Sequence, residues 1–241
     1  MKRKIDLHTH VLPAMDDGAR DAAQSAMLLE ELAAQGVSEV FATPHFYSHR
    51  ESLQDFLARR TAALAALPAG AVQPAAEVYL TPFLFNNDDV SALCYPDTRV
   101  MLVEMPYNTD YGTDAPLREL VRLQQNFSVR PLLAHIERYS SLLSHPQMLR
   151  QLRREGCLFQ VNACSFLEKA WLKKLLALAD LGYIDALGSD CHHPILRPAI
   201  YDEGLDVLRA HIGDAAEKVA AADAVFPSAA KQDDFPFLLF P

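Results

Sequence analysis

Short apolar segments of β-strand length recur along the chain, with helical segments between most of them. The predicted strands are residues 5–7, 37–43, 75–79, 99–104, 130–134, 157–161 and 184–188. Helices are predicted at residues 22–35, 52–67, 115–126 and 167–181, and a further helix begins at Pro146. Strands that alternate with helices form parallel sheets, and seven such units predict a closed or nearly closed α/β barrel. Because α/β barrels often use about this length as one domain, we expect a single domain over residues 1–241.

The composition excludes several classes of protein. The formal net charge is −9, from 22 Lys and Arg against 31 Asp and Glu, whereas nucleic-acid binding requires a basic face. No segment approaches the roughly 20 apolar residues of a membrane span, and the basic residues 1–4 are not followed by the apolar part of a signal peptide. The four cysteines form no CxxC pair and no secreted-domain spacing. We therefore expect a soluble, cytoplasmic protein that binds no nucleic acid.

Histidines and acidic residues lie at or near the carboxyl ends of six of the seven predicted strands. In chain order they are His8 and His10, His45, Glu77, Glu104, His135, and Asp190 with His192. β/α barrels assemble their active sites at this end of the strands. A random scatter of surface charges would not follow strand ends in this way, so these residues are the candidate site.

The residue types at these positions fit a metal site. His8 and His10 share one side of an extended segment, because side chains at positions i and i+2 point the same way. Imidazole nitrogens and carboxylate oxygens together suit Zn²⁺, Mn²⁺ or Fe²⁺. A lone His-x-His is a weak signal, but a carboxylate such as Glu77 or Glu104 beside an apolar strand has to be paired or coordinated. The set as a whole predicts a metal-dependent hydrolase.

Other polar and aromatic residues allow two interpretations each. Arg138 and Arg197 lie a few residues after the candidate ligands His135 and His192, on loops expected to face the metals. They therefore either bind phosphate oxygens bidentately or are solvated. Aromatic side chains that follow strand ends either line a substrate rim or pack the loops: Phe46, Tyr47, Tyr107 and Tyr111. The remaining histidines are expected to be structural or solvent-facing: His49, His145, His193 and His211.

Five motifs occur in order, namely IDLHTH at residues 5–10, DDG at 16–18, ATPH at 42–45, AHIERY at 134–139 and GSDCH at 188–192. They resemble those of the PHP (polymerase and histidinol phosphatase) superfamily, and more closely its bacterial protein-tyrosine phosphatases of capsular and exopolysaccharide operons. The resemblance extends from about residue 4 to residue 197. It implies a distorted (β/α)₇ TIM-like barrel with three divalent metal ions, often Mn²⁺, with Fe²⁺, Zn²⁺ or Mg²⁺ as alternatives. It also implies a substrate, the phosphotyrosine-bearing tail of a membrane tyrosine kinase that controls polysaccharide export.

The resemblance assigns roles to individual residues. One ion would be held by His8, His10, Glu77 and Asp190, a second by Glu77, Glu104 and His135, and a third by Asp17, His45 and His192. Arg138 and Arg197 match the phosphate-binding arginines of the family. Asp6, inside the first motif, is expected to orient a ligand histidine.

The expected mechanism is attack on phosphorus by a metal-bound hydroxide, because a metal lowers the pKa of bound water from ~15.7 to ~7. Arg197 lies six positions after Cys191, which is the Cys-x₅-Arg spacing of cysteine phosphatases, but Pro194 and the lack of glycines do not fit a phosphate-binding loop. Two alternatives stay open: a small-molecule phosphatase of the same superfamily, for example one for histidinol phosphate, and a metal-retaining regulatory protein without turnover. The apolar tail at residues 233–241 is expected to dock onto the barrel, with an oligomer interface as the alternative.

Overall fold

A curled sheet of parallel strands forms the centre of the protein. The structure is a computed structural model that describes residues 3–227. Its strands are β1 (Ile5–Thr9), β2 (Glu39–Ala42), β3 (His45–Phe46), β4 (Gln73–Pro74), β5 (Glu77–Tyr79), β6 (Val100–Glu104), β7 (Arg130–Leu133), β8 (Leu158–Asn162) and β9 (Ala186–Gly188). They pair in the orders β1-β2-β4 and β3-β5-β6-β7-β8-β9. Thr9 forms a parallel bridge with Cys191, which follows β9, so the first and last strands lie side by side and the sheet curls round.

Two of the predicted strands are interrupted. The segment 37–43 ends as a strand at residue 42, and pairing resumes only after Pro44, which has no N–H to donate to a sheet. Thr43 maintains the contact with the first strand, because its hydroxyl accepts from the N–H of Thr9 at 3.0 Å. The segment 75–79 is strand only from residue 77. The prediction of one continuous strand at each of these places was wrong.

Helices cover the outside of the sheet. They are α1 (Ala22–Ala34), α2 (Leu53–Ala65), α3 (Ala115–Phe127), α4 (Ser140–Ser144), α5 (Pro146–Arg154), α6 (Lys169–Asp180), α7 (Asp202–Ile212) and α8 (Ala215–Ala220). The predicted helices are confirmed to within a few residues, and the side chains of Asp21 and Ser52 cap the first two. Between β5 and β6 the described chain has only the 3₁₀ turns Pro82–Asn86 and Ser91–Leu93. The short helix α4 was not predicted.

Two apolar cores position the polar residues. The larger core includes side chains from the sheet and from the surrounding helices, whereas the smaller one contains Leu102 and Leu158 from neighbouring parts of the sheet. Because side chains alternate along a strand, Leu102 shares a face with Glu104, and Leu158 shares a face with Gln160. The polar site therefore lies directly beyond the smaller core, toward the carboxyl ends of the strands.

The described chain ends at the amino-terminal end of the sheet, opposite the carboxyl ends of the strands where the polar site lies. The ring of Phe226 stacks on Phe41 at 5.2 Å, and the guanidinium of Arg3, which precedes β1, lies 5.6 Å from the Phe226 ring centroid. The apolar tail at residues 233–241, for which docking was expected, lies outside the described residues. No helix within residues 3–227 is long and apolar enough to cross a membrane.

Candidate metal centre

Four potential ligand atoms meet at the end of β1. The Nε2 atoms of His8 and His10 are 3.2 Å apart, and both side chains are fully buried. Glu77 Oε2 lies 3.2 Å and 3.3 Å from these two nitrogens. Asp190 Oδ1 lies 3.5 Å and 3.4 Å from the same nitrogens. Metal–ligand bonds of about 2.0–2.2 Å place neighbouring ligand atoms roughly 3–3.5 Å apart, so the spacing fits one bound cation.

Glu77 also faces a second group of side chains. Its Oε1 lies 2.9 Å from His135 Nε2, and its Oε2 lies 2.9 Å from His45 Nδ1. Glu104 is 3.7 Å from His135 Nε2 and 3.8 Å from His45 Nδ1. One carboxylate thus contacts both groups, which is the arrangement that a carboxylate bridging two cations requires.

A third group lies at the solvent edge of the cluster. Asp17 Oδ1 is 3.6 Å from His45 Nε2 and 3.5 Å from His192 Nε2. The ring of His192 stacks on that of His10 at 3.8 Å, so this group adjoins the first. The Asp17 side chain is 68% exposed, whereas the other acidic members are buried. All nine residues that the sequence singled out as ligands are therefore brought together.

The cluster has unpaired polar atoms that a cation would satisfy. Within residues 3–227, three buried ligand atoms that face the cluster have no well-aligned hydrogen bond, namely His45 Nδ1, Glu77 Oε2 and His192 Nε2, although the first two lie 2.9 Å apart. Buried polar atoms without a partner are rare in folded proteins, because each costs free energy. The donors are imidazole nitrogens and carboxylate oxygens only, a set that suits divalent Mn, Fe or Zn. The residues present fit bound divalent metal ions.

The electrostatics of the cluster favour positive charge. Burial works against the charged forms of Glu77 and Asp190, but the surrounding histidines, His8 foremost, together outweigh it and hold the pKa of both carboxyls well below the usual range. Burial, together with the charge of His10, lowers the pKa of His192 to about 2. The carboxylates in turn raise the pKa of His8 and His10, so these two imidazoles would release their protons when a cation binds.

Polar side chains behind the ligands hold them in place. Gln160 Oε1 accepts from the backbone N–H of His135 at 2.6 Å and lies 3.2 Å from His8 Nδ1. Gln160 also donates to Asn162 Oδ1 at 3.0 Å, and Asn162 donates to Asp190 Oδ2 at 2.8 Å. A hydrogen bond to Nδ1 leaves Nε2 of His8 free to face a metal. Neither Gln160 nor Asn162 was predicted to belong to the site, although two polar residues in and directly after the apolar segment 157–161 were a visible signal.

Asp16 was also missed, because only its neighbour Asp17 matched the ligand pattern. Its carboxylate accepts from His10 Nδ1 and from the backbone N–H of His45, both at 2.8 Å. Asp6, expected to orient a ligand histidine, accepts from the backbone N–H of His8 at 3.2 Å and that of Ser189 at 2.9 Å. Asp16 therefore orients an imidazole ring, whereas Asp6 joins the backbones of the first and last strands.

The backbone is unusual at two of the ligands. His135 has φ 33° and Asp190 has φ 53°, the left-handed region that non-glycine residues seldom adopt. Such conformations persist where the surrounding structure enforces them, and they are frequent at functional sites. Gly188 is needed for a different reason, because a Cβ there would lie 2.4 Å from His8 Cβ.

A cleft of about 400 Å³ opens above the cluster. Arg138 and Arg197 line it, and the Nη2 atom of each donates to Asp190 Oδ2, at 2.6 Å and 2.7 Å. Tyr47 and Tyr107 line it as well, so these two belong to the rim. The other aromatic candidates, Phe46 and Tyr111, are buried and pack the interior.

Comparison with known proteins identifies the family. The sequence profile described as capsular polysaccharide synthesis, CpsB/CapC, matches residues 4–225. This chain belongs to the CpsB/CapC family.

Relatives in the CpsB/CapC family match most of this chain. It is 27% identical over 225 residues to the tyrosine-protein phosphatase CpsB of Streptococcus pneumoniae, covering 87% of this chain and 91% of the relative. It is 28% identical over 231 residues to the tyrosine-protein phosphatase YwqE of Bacillus subtilis (strain 168), a match that covers 87% of this chain and 85% of the relative.

The fold also matches a solved structure. The superposition has a TM-score of 0.72 at 23% sequence identity and covers 91% of this chain and 92% of the other. The matched chain comes from crystal structures of YwqE from Bacillus subtilis and CpsB from Streptococcus pneumoniae, described as unique metal-dependent tyrosine phosphatases. The likeness shows that the curled parallel α/β sheet is shared with them.

Cys191 of this CpsB/CapC family member is unsuited to act as a nucleophile. The residue is buried, and burial raises the pKa of its thiol to about 12, so the thiolate is scarce at neutral pH. Of the histidines expected to be structural or solvent-facing, His49 is exposed and lines the cleft. The other three contact residues outside the cleft, namely His145 with Ser141, His193 within its own loop and His211 with Asp180.

Proposed function

We propose that this chain is a metal-dependent protein-tyrosine phosphatase that hydrolyses phosphotyrosine in proteins. Its relatives of similar length are named tyrosine-protein phosphatases, and its family is one of capsular polysaccharide synthesis. The proposed metal ligands are His8, His10, Asp17, His45, Glu77, Glu104, His135, Asp190 and His192. The proposed phosphate-binding residues are Arg138 and Arg197.

The observation that carries this proposal is the double role of Asp190. Its Oδ1 faces the nitrogens of His8 and His10, while its Oδ2 accepts from both Arg138 and Arg197. A single carboxylate thereby holds two guanidinium groups next to the cluster of ligand atoms. A phosphoryl group in the cleft would meet the metal ligands on one side and two bidentate donors on the other. This geometry supports phosphoryl transfer more strongly than any other hydrolysis.

We propose three ions, divided as the resemblance implies. The distances support the sets His8, His10, Glu77 and Asp190; Glu77, Glu104 and His135; and Asp17, His45 and His192. Mn²⁺ is our preferred ion, and the same donors also suit Fe²⁺ and Zn²⁺. When bound, such ions supply a water of lowered pKa and stabilise negative charge on the phosphoryl oxygens.

Among the chain's own side chains, Arg138 and Arg197 have the main proposed role in binding the substrate. They orient the phosphoryl group and stabilise the charge that grows on its equatorial oxygens in the transition state. Hydrolysis forms a bond from water oxygen to phosphorus and breaks the bond from phosphorus to the tyrosine oxygen. Arg138 is 32% exposed and Arg197 is 40% exposed, so both can reach a substrate without a large rearrangement.

The aromatic side of the cleft supports an aryl phosphate. In sheet order, Tyr47 follows β3, Tyr79 ends β5 and Tyr107 follows β6, and all three line the cleft. The two arginines follow the later strands β7 and β9. A phosphotyrosine whose phosphate lies against the arginines can therefore place its ring against tyrosines. Histidinol phosphate also has an aromatic ring, its imidazole, so a small-molecule phosphatase is the second candidate.

Several broader features belong to the same proposal. The partner would be the phosphotyrosine-bearing tail of a membrane tyrosine kinase, and the location would be cytoplasmic. All four cysteines are free, which supports a reducing compartment. We further propose that residues 1–241 form one domain built on a distorted (β/α)₇ barrel. The proximity of β1 to β9 supports closure of this barrel. Its seven strand positions are obtained when β2 with β3, and β4 with β5, are each counted as one interrupted strand.

One comparison of substrates tests the proposed function. Manganese-loaded protein would receive a phosphotyrosine peptide, a phosphoserine peptide and histidinol phosphate in parallel, with phosphate release as the measurement. We expect activity on the phosphotyrosine peptide well above that on the other two. Turnover of histidinol phosphate alone would establish the small-molecule alternative, and no turnover of any would favour a regulatory protein.

Removal of either arginine tests the phosphate site. We expect Arg138→Ala and Arg197→Ala each to lower kcat/KM by about 10²–10³-fold, as loss of one transition-state donor does. Arg150→Ala is the matched control, because Arg150 is exposed on α5 outside the cleft. Activity of both variants equal to that of the control would contradict the assignment.

A further inference from the structure

A short rigid hairpin follows the last ligands of the site. His193 and Arg197 pair as an isolated antiparallel bridge, with backbone hydrogen bonds of 3.2 Å and 3.1 Å in the two directions. Within the loop, His193 Nδ1 accepts from the backbone N–H of Ile195 at 3.1 Å and of Leu196 at 3.3 Å. Pro194 restricts the backbone further. The loop tip is therefore held in one conformation by its own bonds.

This hairpin presents two apolar side chains to solvent. Ile195 is 79% exposed and Leu196 is 80% exposed, more than any other large apolar side chain within residues 3–227. A single exposed apolar residue is unremarkable, but two adjacent ones on a fixed tip form a preorganised contact surface. We call Ile195 and Leu196 the apolar tip.

The apolar tip adjoins the substrate cleft. Arg197, the residue after Leu196, lines the cleft and donates to Asp190 Oδ2 at 2.7 Å. Consecutive Cα atoms are about 3.8 Å apart, so the tip begins one residue from a phosphate-binding side chain. A polypeptide whose phosphotyrosine enters the cleft has flanking residues outside it, where the hairpin adjoins the rim at Arg197, whereas a small aryl phosphate has no such residues.

We propose that the apolar tip binds apolar side chains of a protein substrate next to its phosphotyrosine. This proposal rests on the proposed function, because it requires a polypeptide substrate. Continuity with the cleft and rigidity of the hairpin support this occupant. The described end of this chain, at Phe226 beside Arg3, lies at the opposite end of the sheet from the tip. The tip thus provides a reason for the enzyme to prefer proteins over small phosphate esters.

The test uses the double variant Ile195→Ser/Leu196→Ser in the full-length, metal-loaded protein. The substrates are p-nitrophenyl phosphate, a phosphotyrosine peptide flanked by leucines, and the same peptide flanked by glycine and serine. We expect kcat/KM for the leucine peptide to fall about tenfold, because apolar burial on the tip is lost. Values for p-nitrophenyl phosphate and the glycine–serine peptide should stay within about twofold of wild type. Leu181→Ser is the matched control, since Leu181 is 65% exposed at the end of α6 and precedes β9, whereas the hairpin follows β9 at the other end of that strand.

Other outcomes would overturn the proposal. An equal loss on all three substrates would mean that the tip merely supports Arg197. No change on the leucine peptide would mean that the tip does not contact the substrate. A wild-type dimer that the double variant converts to a monomer, with unchanged peptide kinetics, would identify a second copy as the occupant. If the wild-type protein cleaves p-nitrophenyl phosphate but no phosphotyrosine peptide, the proposed function itself fails, a result distinct from the preceding ones.

Discussion

Gln160 orients two of the proposed ligand histidines at once. It contacts His8 Nδ1 and the backbone N–H of His135, and it is fully buried. Replacement by leucine keeps the volume but removes both contacts. We expect Gln160→Leu to raise the dissociation constant for Mn²⁺ about 10–100-fold, the usual cost of losing a partner behind a ligand. Isothermal titration calorimetry of the metal-free protein measures this directly.

The matched control for that prediction is Gln147→Leu, because Gln147 is exposed on α5. Gln160→Glu should recover part of the affinity, since a carboxylate oxygen can still accept both hydrogen bonds. Unchanged Mn²⁺ affinity in Gln160→Leu, with a native circular dichroism spectrum, would show that the histidines hold their orientation without it.

Individual residues also show how far the sequence could lead. Parallel strands end at one edge, so strand-end positions sufficed to predict that residues such as His8, His135 and Asp190 would meet. The roles of Asp16 and Gln160 depend on which side-chain atom faces which ring nitrogen. Such contacts follow from packing between segments far apart in the chain. A polar residue in an apolar segment, such as Gln160, signals that it has a role, but not which atoms it contacts.

At the scale of elements, Asp21 illustrates a local signal that the structure confirms. Its carboxylate accepts from the backbone N–H of Gln24 at 2.9 Å and caps α1. We expect Asp21→Ala to lower Tm by about 2–4 °C at pH 7, in line with loss of one capping bond. Asp114→Ala is the matched control, because Asp114 stands at the start of α3 without a capping hydrogen bond from its side chain.

The pH dependence of this effect has a definite sign. The backbone hydrogen bond from Gln24 lowers the pKa of Asp21 below the usual value of 3.8. A carboxyl with a lowered folded pKa stabilises the folded state above its unfolded pKa and loses that effect as pH falls through the folded pKa. The Tm difference between wild type and Asp21→Ala should therefore shrink from pH 7 to pH 3, as scanning calorimetry would show. A constant difference would mean that the cap does not depend on charge.

Close contact between β1 and β9 gives a second element-scale prediction. Glycine is the only residue type that fits at position 188, because a Cβ there would lie 2.4 Å from His8 Cβ and 2.9 Å from Gln160 Nε2. We expect Gly188→Ala to cost about 1–3 kcal/mol in the free energy of unfolding and to weaken Mn²⁺ binding. Gly70→Ala provides the contrast, because Gly70 has a φ of 78° but no neighbour within 4 Å. That variant should lose stability without losing metal affinity, and equal metal affinities in both would contradict the argument.

The interrupted strands mark the limit of pattern-based prediction for elements. An apolar run such as 37–43 indicates a strand, and Pro44 indicates where it ends. Resumption of pairing at His45, in a different part of the sheet from β2, depends on the neighbouring strands β4 and β5. The periodicity of one segment contains no information about its partners.

At the scale of the whole molecule, the curled sheet concentrates charge from distant parts of the sequence. Residues from His8 to His192 meet at one end of the sheet, and the buried carboxylates among them account for part of the net charge of −9. Strand alternation was enough to predict the α/β class and the end at which the site forms. The exposed apolar tip at residues 195–196 could not be predicted, because exposure depends on what surrounds a loop and apolar residues are usually buried.

The central claim is that hydrolysis of phosphotyrosine here depends on bound metal and on no cysteine. The most direct test measures phosphate release from a phosphotyrosine peptide by Cys191→Ser protein, first as loaded with Mn²⁺, then after chelation, and then after Mn²⁺ is restored. Because the Cys191 thiol is buried and its pKa is raised to about 12, we predict near-wild-type activity, then loss, then recovery. An inactive Cys191→Ser protein, beside a wild type that keeps its activity after chelation, would contradict the account.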